Sequence, residues 1–167
     1  DMSENDERAG TRFFDDVLDA AAIDHLHAAS HKVTFKRGTV LMRQGDEGDS
    51  MFTILSGKVA VTVHEPGGDK LVAELGPDEV VGEMSLLTGE PRSATVTARS
   101  KVVALETPKS ALQPCLAEAP HLCSRFADMV KNRHDQLVQL HRDYSRWNSV
   151  GYDSNQLAAR MTAFYSG

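Results

Sequence analysis

Apolar residues recur at intervals of three and four from Phe13 to about Ala29, at Phe13, Phe14, Val17, Leu18, Ala21, Ala22 and Leu26. That spacing predicts an amphipathic helix across the segment. After Lys32 the periodicity changes. Short runs rich in β-branched residues, KVTF, RGTVLMRQ, MFTILSGKVAVTVH and KLVAEL, are separated by the turn-forming stretches GDEGDS and EPGGD, and RSATVTA and KVVALET extend the pattern to residue 107. Short strands punctuated by Gly and Asp turns predict an antiparallel sandwich or jelly roll. Gly38, Gly45, Gly48, Gly57, Gly67 and Gly68 mark the turns, where backbone angles closed to other residues are open to glycine.

Pro108 begins a helical remainder. Within it Val130, Arg133, Leu137, Leu140, Tyr144 and Trp147 form a narrow stripe at three-four spacing. Such a stripe suits a partner helix, which would make the chain a homodimer through a short coiled-coil seam, or the mouth of a pocket. Gly151 breaks the pattern, and a last short helix is expected from about Gln156 to Phe164 with Leu157, Met161 and Phe164 on one face. Three segments result: an acidic helical part over 1–30, a β-roll over 31–107 and a helical lid or dimerisation segment over 108–167.

Charge narrows the classes of partner. Residues 1–30 hold eight acids against Arg8 and Arg12, so the formal net charge of −6 sits entirely in this segment and the remainder balances. An acidic stretch of this kind is a solvated helix face or a docking surface for a basic partner. It offers no footprint for nucleic acid, and no nucleic-acid partner is expected. No apolar run approaches the roughly 20 residues of a spanning helix, and the N-terminus lacks a signal-peptide pattern, so a cytoplasmic location without membrane insertion is expected. Cys115 and Cys123 form neither a disulfide framework nor a C-x-x-C metal motif. His25 and His27 would ligate a metal together only from a strand, and no further ligands are evident. No metal site is therefore assigned. Neither a G-x-x-x-x-G-K-[ST] loop nor a Ser-His-Asp order stands out, so no catalytic residue is assigned and the chain is not expected to be an enzyme.

Residues 80–98, VVGEMSLLTGEPRSATVTA, place a Gly-Glu pair, a short helical turn and an isolated Arg between two β-type runs. A helical turn starting near Ser85 would present free N–H groups and the positive end of its dipole, a seat for phosphate. Pro91 is expected to stop the turn. Arg92 then stands at the start of a strand whose alternation sends Ser93 to the opposite side. A guanidinium beside such N–H groups makes charge-assisted, often bidentate bonds to phosphate. Glu83 would repel that anion unless it bonds to something neutral on the ligand, for which a sugar hydroxyl is the natural candidate. Taken singly, the same residues also fit a structural Glu83–Arg92 ion pair and a plain turn at Gly82.

The order and spacing of GEMSLLTGEPRSATV resemble the phosphate-binding cassette of cyclic nucleotide-binding domains, a Gly-Glu pair, a short helix and then Arg-Ser/Thr-Ala. The resemblance extends to KRGTVLMRQG and to QGDEGDSMFTILSGKVAV, whose Gly45, Gly48 and Gly57 match glycines between that family's early strands, and it covers about residues 13–135. It implies an eight-stranded antiparallel β-roll flanked by an N-terminal helical segment, a short cassette helix and C-terminal lid helices. It also implies site roles: Glu83 on the ribose 2′-hydroxyl, Arg92 on the exocyclic phosphate oxygens with help from the Ser85 and Leu86 N–H groups and the Ser93 hydroxyl, and Gly82 for close backbone approach. Leu137 would cap the base, and Arg133 would contact the purine or a partner. Ser85 stands where the family commonly has Ala. The implied ligand is a cyclic purine nucleotide, cAMP ahead of cGMP, and no other cofactor. The implied role is regulatory, ligand binding being converted into movement of the C-terminal helix for an effector or channel domain, as in the sensor part of a bacterial channel. The alternatives are a degenerate roll used for protein contact and a truncated transcription regulator of the catabolite-activator type.

Overall fold

The computed structural model describes residues 14–119, 121–140 and 153–166, and the side chains at 137–140, 154 and 166 are outside that description. Phe13, Tyr144, Trp147 and Gly151 therefore lie outside the described residues, as do the side chains of Leu137 and Leu140. In chain order the elements are α1 (Ala20–Ala29), β1 (His31–Phe35), β2 (Val40–Met42), β3 (Ser50–Ser56), β4 (Val59–Glu65), β5 (Gly68–Leu75), β6 (Val80–Val81), α2 (Glu83–Thr88), β7 (Thr95–Ala98), β8 (Val102–Pro108), α3 (Lys109–Glu118), α4 (Leu122–Leu140) and α5 (Ser154–Ser166).

The eight strands make two four-stranded antiparallel sheets, ordered β1-β8-β3-β6 and β2-β7-β4-β5. The expected β-roll with flanking helices is thus the architecture of the chain. Between the sheets Ile54, Val59, Val61, Val96, Val102 and Ala104 are fully enclosed. The first sheet is covered on both faces. Neighbours in β3 divide accordingly: Phe52 and Ile54 join the interior of the roll, and Met51 joins a second core made by the helices. This is why residues 51–54 are buried in succession rather than at alternate positions. Val80 and Val81 divide in the same way on β6. At the β3–β4 turn Gly57 has φ +88°, and a Cβ there would collide with the Lys101 carbonyl.

The helical core gathers Phe14, Leu26, Leu86, Leu87, Leu112, Leu116, Phe126, Leu157 and Met161. At its centre Phe14 and Phe126 meet edge to face with ring centroids 5.7 Å apart.

Three boundaries differ from expectation, each for a local reason. The N-terminal helix does not run through from Phe13. Leu18 N–H closes a turn on the Phe14 carbonyl at 2.9 Å, and α1 starts afresh at Ala20 because Asp19 caps it, Oδ1 accepting from Ala22 N–H at 2.8 Å. The cassette helix stops before Pro91, at Gly89, whose left-handed φ of +76° lets its N–H close on the Ser85 carbonyl at 2.9 Å. The last helix is longer than expected, and its third deep anchor is Tyr165, 2 % exposed, rather than Phe164. Leu157, Met161 and Tyr165 step by four along one face.

Phe126 is fully enclosed at the junction of α4 with the N-terminal turn. Replacing it by Ala should cost about 3–5 kcal/mol of folding stability, read from the urea midpoint at constant m-value.

Candidate functional site

Strand β6 delivers the chain to Gly82, which adopts the left-handed conformation with φ +80° and ψ 7° and caps α2. A Cβ at this position would fall 2.6 Å from Arg92 Nη1, 2.8 Å from Met42 Cε and 3.2 Å from the Ser50 carbonyl. Both backbone angle and space therefore require glycine. Helix α2 has six residues, all buried. A helix of that length does not stand alone in water, so its orientation is set by what it packs against.

Arg92, 8 % exposed, lies behind the amino end of α2. Its Nη1 donates to the Ser50 carbonyl at 2.7 Å and the Gly82 carbonyl at 3.2 Å, and Nη2 donates to Ser50 Oγ at 3.3 Å. Ser50 Oγ in turn donates to Glu106 Oε2 at 3.0 Å. Burial pulls the guanidinium pKa below its ordinary value, and the charges of Asp49, Glu106 and Glu83 oppose that shift. Arginine remains protonated regardless. A Cβ at Gly48 would run into the guanidinium, so this glycine makes room for it. The hydrogen-bond partners of Arg92 here are neutral oxygens. A phosphate offers a stronger, charged acceptor to the same fork.

Glu83 is 1 % exposed, and its Oε1 accepts from Arg133 Nη1 at 2.9 Å. Arg133 Nη2 donates to Glu79 Oε2 at 3.2 Å and to the Val80 carbonyl at 2.8 Å. The ion pair of Glu83 is thus with Arg133 on α4 rather than with Arg92. The next residue, His134, is 7 % exposed, and burial, followed by the nearby Lys131, pulls its pKa down. An imidazole so placed stays neutral near neutral pH.

The remaining residues singled out in the sequence are placed as follows. Ser85 lies in the first turn of α2, whose first three N–H groups have no carbonyl of the helix to bond. The Leu86 N–H reaches the Gly82 carbonyl at 3.3 Å, a long bond to an acceptor it shares with Arg92. Ser93 is exposed where Arg92 is buried, but both precede β7, which starts only at Thr95, so the expected strand entry at Arg92 is displaced by three residues. Leu137 belongs to α4, with its side chain outside the described residues. Arg133, which the sequence offered as a purine or partner contact, is held by the cassette itself. Ser50 and Glu106 were not singled out from the sequence. Neither carries a local signal, because their link to Arg92 exists only once β3 and β8 pair.

A glycine-lined cradle around one buried arginine, beside an enclosed glutamate, is the arrangement a cyclic phosphate and its sugar require. The family model described as the cyclic nucleotide-binding domain matches residues 32–119, from β1 through α3. The chain belongs to the cyclic nucleotide-binding domain family. Among relatives of the domain, a cyclic nucleotide-gated potassium channel of Mesorhizobium japonicum is 35 % identical over 70 % of this chain and 31 % of its own length. A CRP-like cAMP-activated global transcriptional regulator of Mycobacterium tuberculosis is 30 % identical over 70 % of this chain and 52 % of its own. The chain thus spans about half or less of the length of these curated relatives. A solved cyclic nucleotide-binding domain from Methylobacillus flagellatus has the same fold, with TM-score 0.68, 24 % identity and 82 % of each chain covered. The domain is a regulatory binding module, and α2 with Arg92 is the part whose sequence resembles the family's phosphate-binding cassette.

The Glu83–Arg133 pair ties the cassette to α4 across a separation of 50 residues. Arg133→Met removes a guanidinium from a carboxylate that is almost fully enclosed, and should cost about 3 kcal/mol or more. Adding Glu83→Gln should recover most of the loss. The positive coupling would be read from a double-mutant cycle in urea.

Proposed function

We propose that this domain binds cAMP in preference to cGMP at the cassette, and that binding changes how α4 is held. The observation that carries the reading is the state of Arg92: a buried cation whose hydrogen bonds go to exchangeable neutral oxygens. A cyclic phosphate on this fork would displace the Ser50 and Gly82 carbonyls and meet the N–H groups of the first turn of α2. The Ser93 hydroxyl stands next in the chain to assist. Glu83 would accept the ribose 2′-hydroxyl, which the cyclic phosphodiester leaves unsubstituted. Ribose and α4 then share one carboxylate, through Arg133.

Ligand regulates only through differential affinity for two arrangements. The shared carboxylate supplies that difference, since any shift of Glu83 toward a sugar alters the seat of Arg133. The preference for cAMP is supported by the M. tuberculosis relative, a cAMP-activated regulator. The parent role we favour is control of a channel-type effector domain, in line with the M. japonicum relative.

Isothermal titration of the ligand-stripped chain with cAMP and cGMP in parallel tests this reading. Binding near one cAMP per chain, tighter than cGMP, is expected; heat from neither nucleotide in the folded protein would overturn it. Arg92→Leu should weaken binding by at least the worth of a charge-assisted bond, about 1.5–3 kcal/mol, or roughly ten- to more than a hundredfold. Unchanged affinity would remove Arg92 from the site. Glu83→Ala should weaken cAMP while sparing 2′-deoxy-cAMP, and equal losses for both would refute the ribose assignment.

A further inference from the structure

The carboxyl end of the cassette helix is held by a part of the chain beyond the span the family model matches. Tyr165 on α5 donates its hydroxyl to the Leu86 carbonyl at 2.8 Å, and both residues are buried. Leu86 is among the last four residues of α2, whose carbonyls have no partner further along the helix. The ring of Phe164 lies against Gly89, so close that a Cβ there would collide with it. Arg160 reaches Glu90 at 2.8 Å.

Helix α5 has its own anchorage on α3. Lys109 Nζ sits 3.6 Å from the centre of the Phe164 ring and donates to the Phe164 carbonyl at 3.3 Å, and Gln113 Nε2 donates to the Tyr165 carbonyl at 3.4 Å. The cassette helix is thus pinned at two ends by different parts of the molecule. Arg92 holds its amino end through the Gly82 carbonyl, and Tyr165 with Phe164 holds its carboxyl end.

We infer that Tyr165 is a positioning residue for the nucleotide, acting through α2 without touching the ligand. The inference rests on the proposed binding of cyclic nucleotide at the cassette. A six-residue helix has too few internal bonds to fix its own direction. When ligand takes the Arg92 fork and the amino-end pin is exchanged, the α5 contacts are what keep the first turn of α2 aimed at the phosphate. Binding and α5 docking are then linked, and each strengthens the other by the same factor.

The experiment uses the full chain and two variants, Tyr165→Phe, which deletes one hydroxyl, and Phe164→Leu, which opens the seat over Gly89. Each is titrated with cAMP well below its melting temperature, and the melting temperature is recorded without ligand. Tyr165→Phe should raise Kd about fivefold, the worth of one neutral buried hydrogen bond, and Phe164→Leu should raise it in the same direction. A purely structural tyrosine would lower the melting temperature and leave Kd where it was. Kd within twofold of the parent in the folded Tyr165→Phe variant would overturn the inference while the proposed function stands. Should that variant not fold, the same threshold applied to Phe164→Leu decides. Failure of the unsubstituted chain to bind cAMP would overturn the proposed function, and the inference with it.

Discussion

A guanidinium that is 8 % exposed and always charged constrains much of what surrounds it. Removing such an ion from water costs several kcal/mol even after relaxation, and hydrogen bonds to a charged donor return about 1.5–3 kcal/mol each. The fold must therefore surround Arg92 with acceptors and leave it room. Two glycines, Gly48 and Gly82, are the residues at which a Cβ would strike the guanidinium. Ser50 supplies both a carbonyl and a hydroxyl, and the hydroxyl is itself oriented by Glu106 across the β3–β8 pair. The two strands and the cassette are thus interlocked through one side chain.

The cassette also divides its allegiance. Its arginine is built into the mouth of the roll, whereas Met84, Leu86 and Leu87 of its helix belong to the core formed by α1, α3, α4 and α5. The sheet containing β3 and β6 separates the two cores and contributes side chains to each. A change at the Arg92 end consequently cannot be absorbed by the roll alone, because α2 has no exposed residue with which to slide freely. Helices α4 and α5 meet it at opposite ends, through Arg133 on Glu83 and Tyr165 on Leu86. That geometry is how the candidate site comes to involve helices distant in sequence.

Much of this was legible in the chain. The strands could be read because β-branched runs were separated by glycines that the turns require, as at Gly57, and the cassette could be read because its residues are contiguous. Phe14, Val17 and Leu18 fit a helical period that predicts an earlier start for α1, but the capping carboxylate of Asp19 is a stronger local signal than the period itself. Pro91 is the more conspicuous stop signal in the sequence, but Gly89 ends α2, a glycine at the end of a short helix being the commoner stop. Three contacts were beyond sequence reasoning: Ser50 with Glu106, Glu83 with Arg133 and Leu86 with Tyr165 are separated by 56, 50 and 79 positions. Each involves a residue whose type is ordinary for its element, and only the packed fold makes the pair.

On the proposed reading, the carboxylates around Arg92 favour one kind of anion. Asp49, Glu106 and Glu83 all lie near enough to raise the guanidinium pKa against its burial. A single negative charge placed on the fork gains the contact with Arg92 and meets a field those carboxylates have already made negative. Each further unit of ligand charge would meet the same field, eased on the Glu83 side by Arg133. A cyclic phosphodiester carries one charge, and an open nucleotide phosphate carries nearly two at neutral pH. On the proposed reading, the acidic surroundings that at first look unsuited to phosphate therefore set the preference for the cyclic form, and Glu83 serves the sugar and the charge selection together.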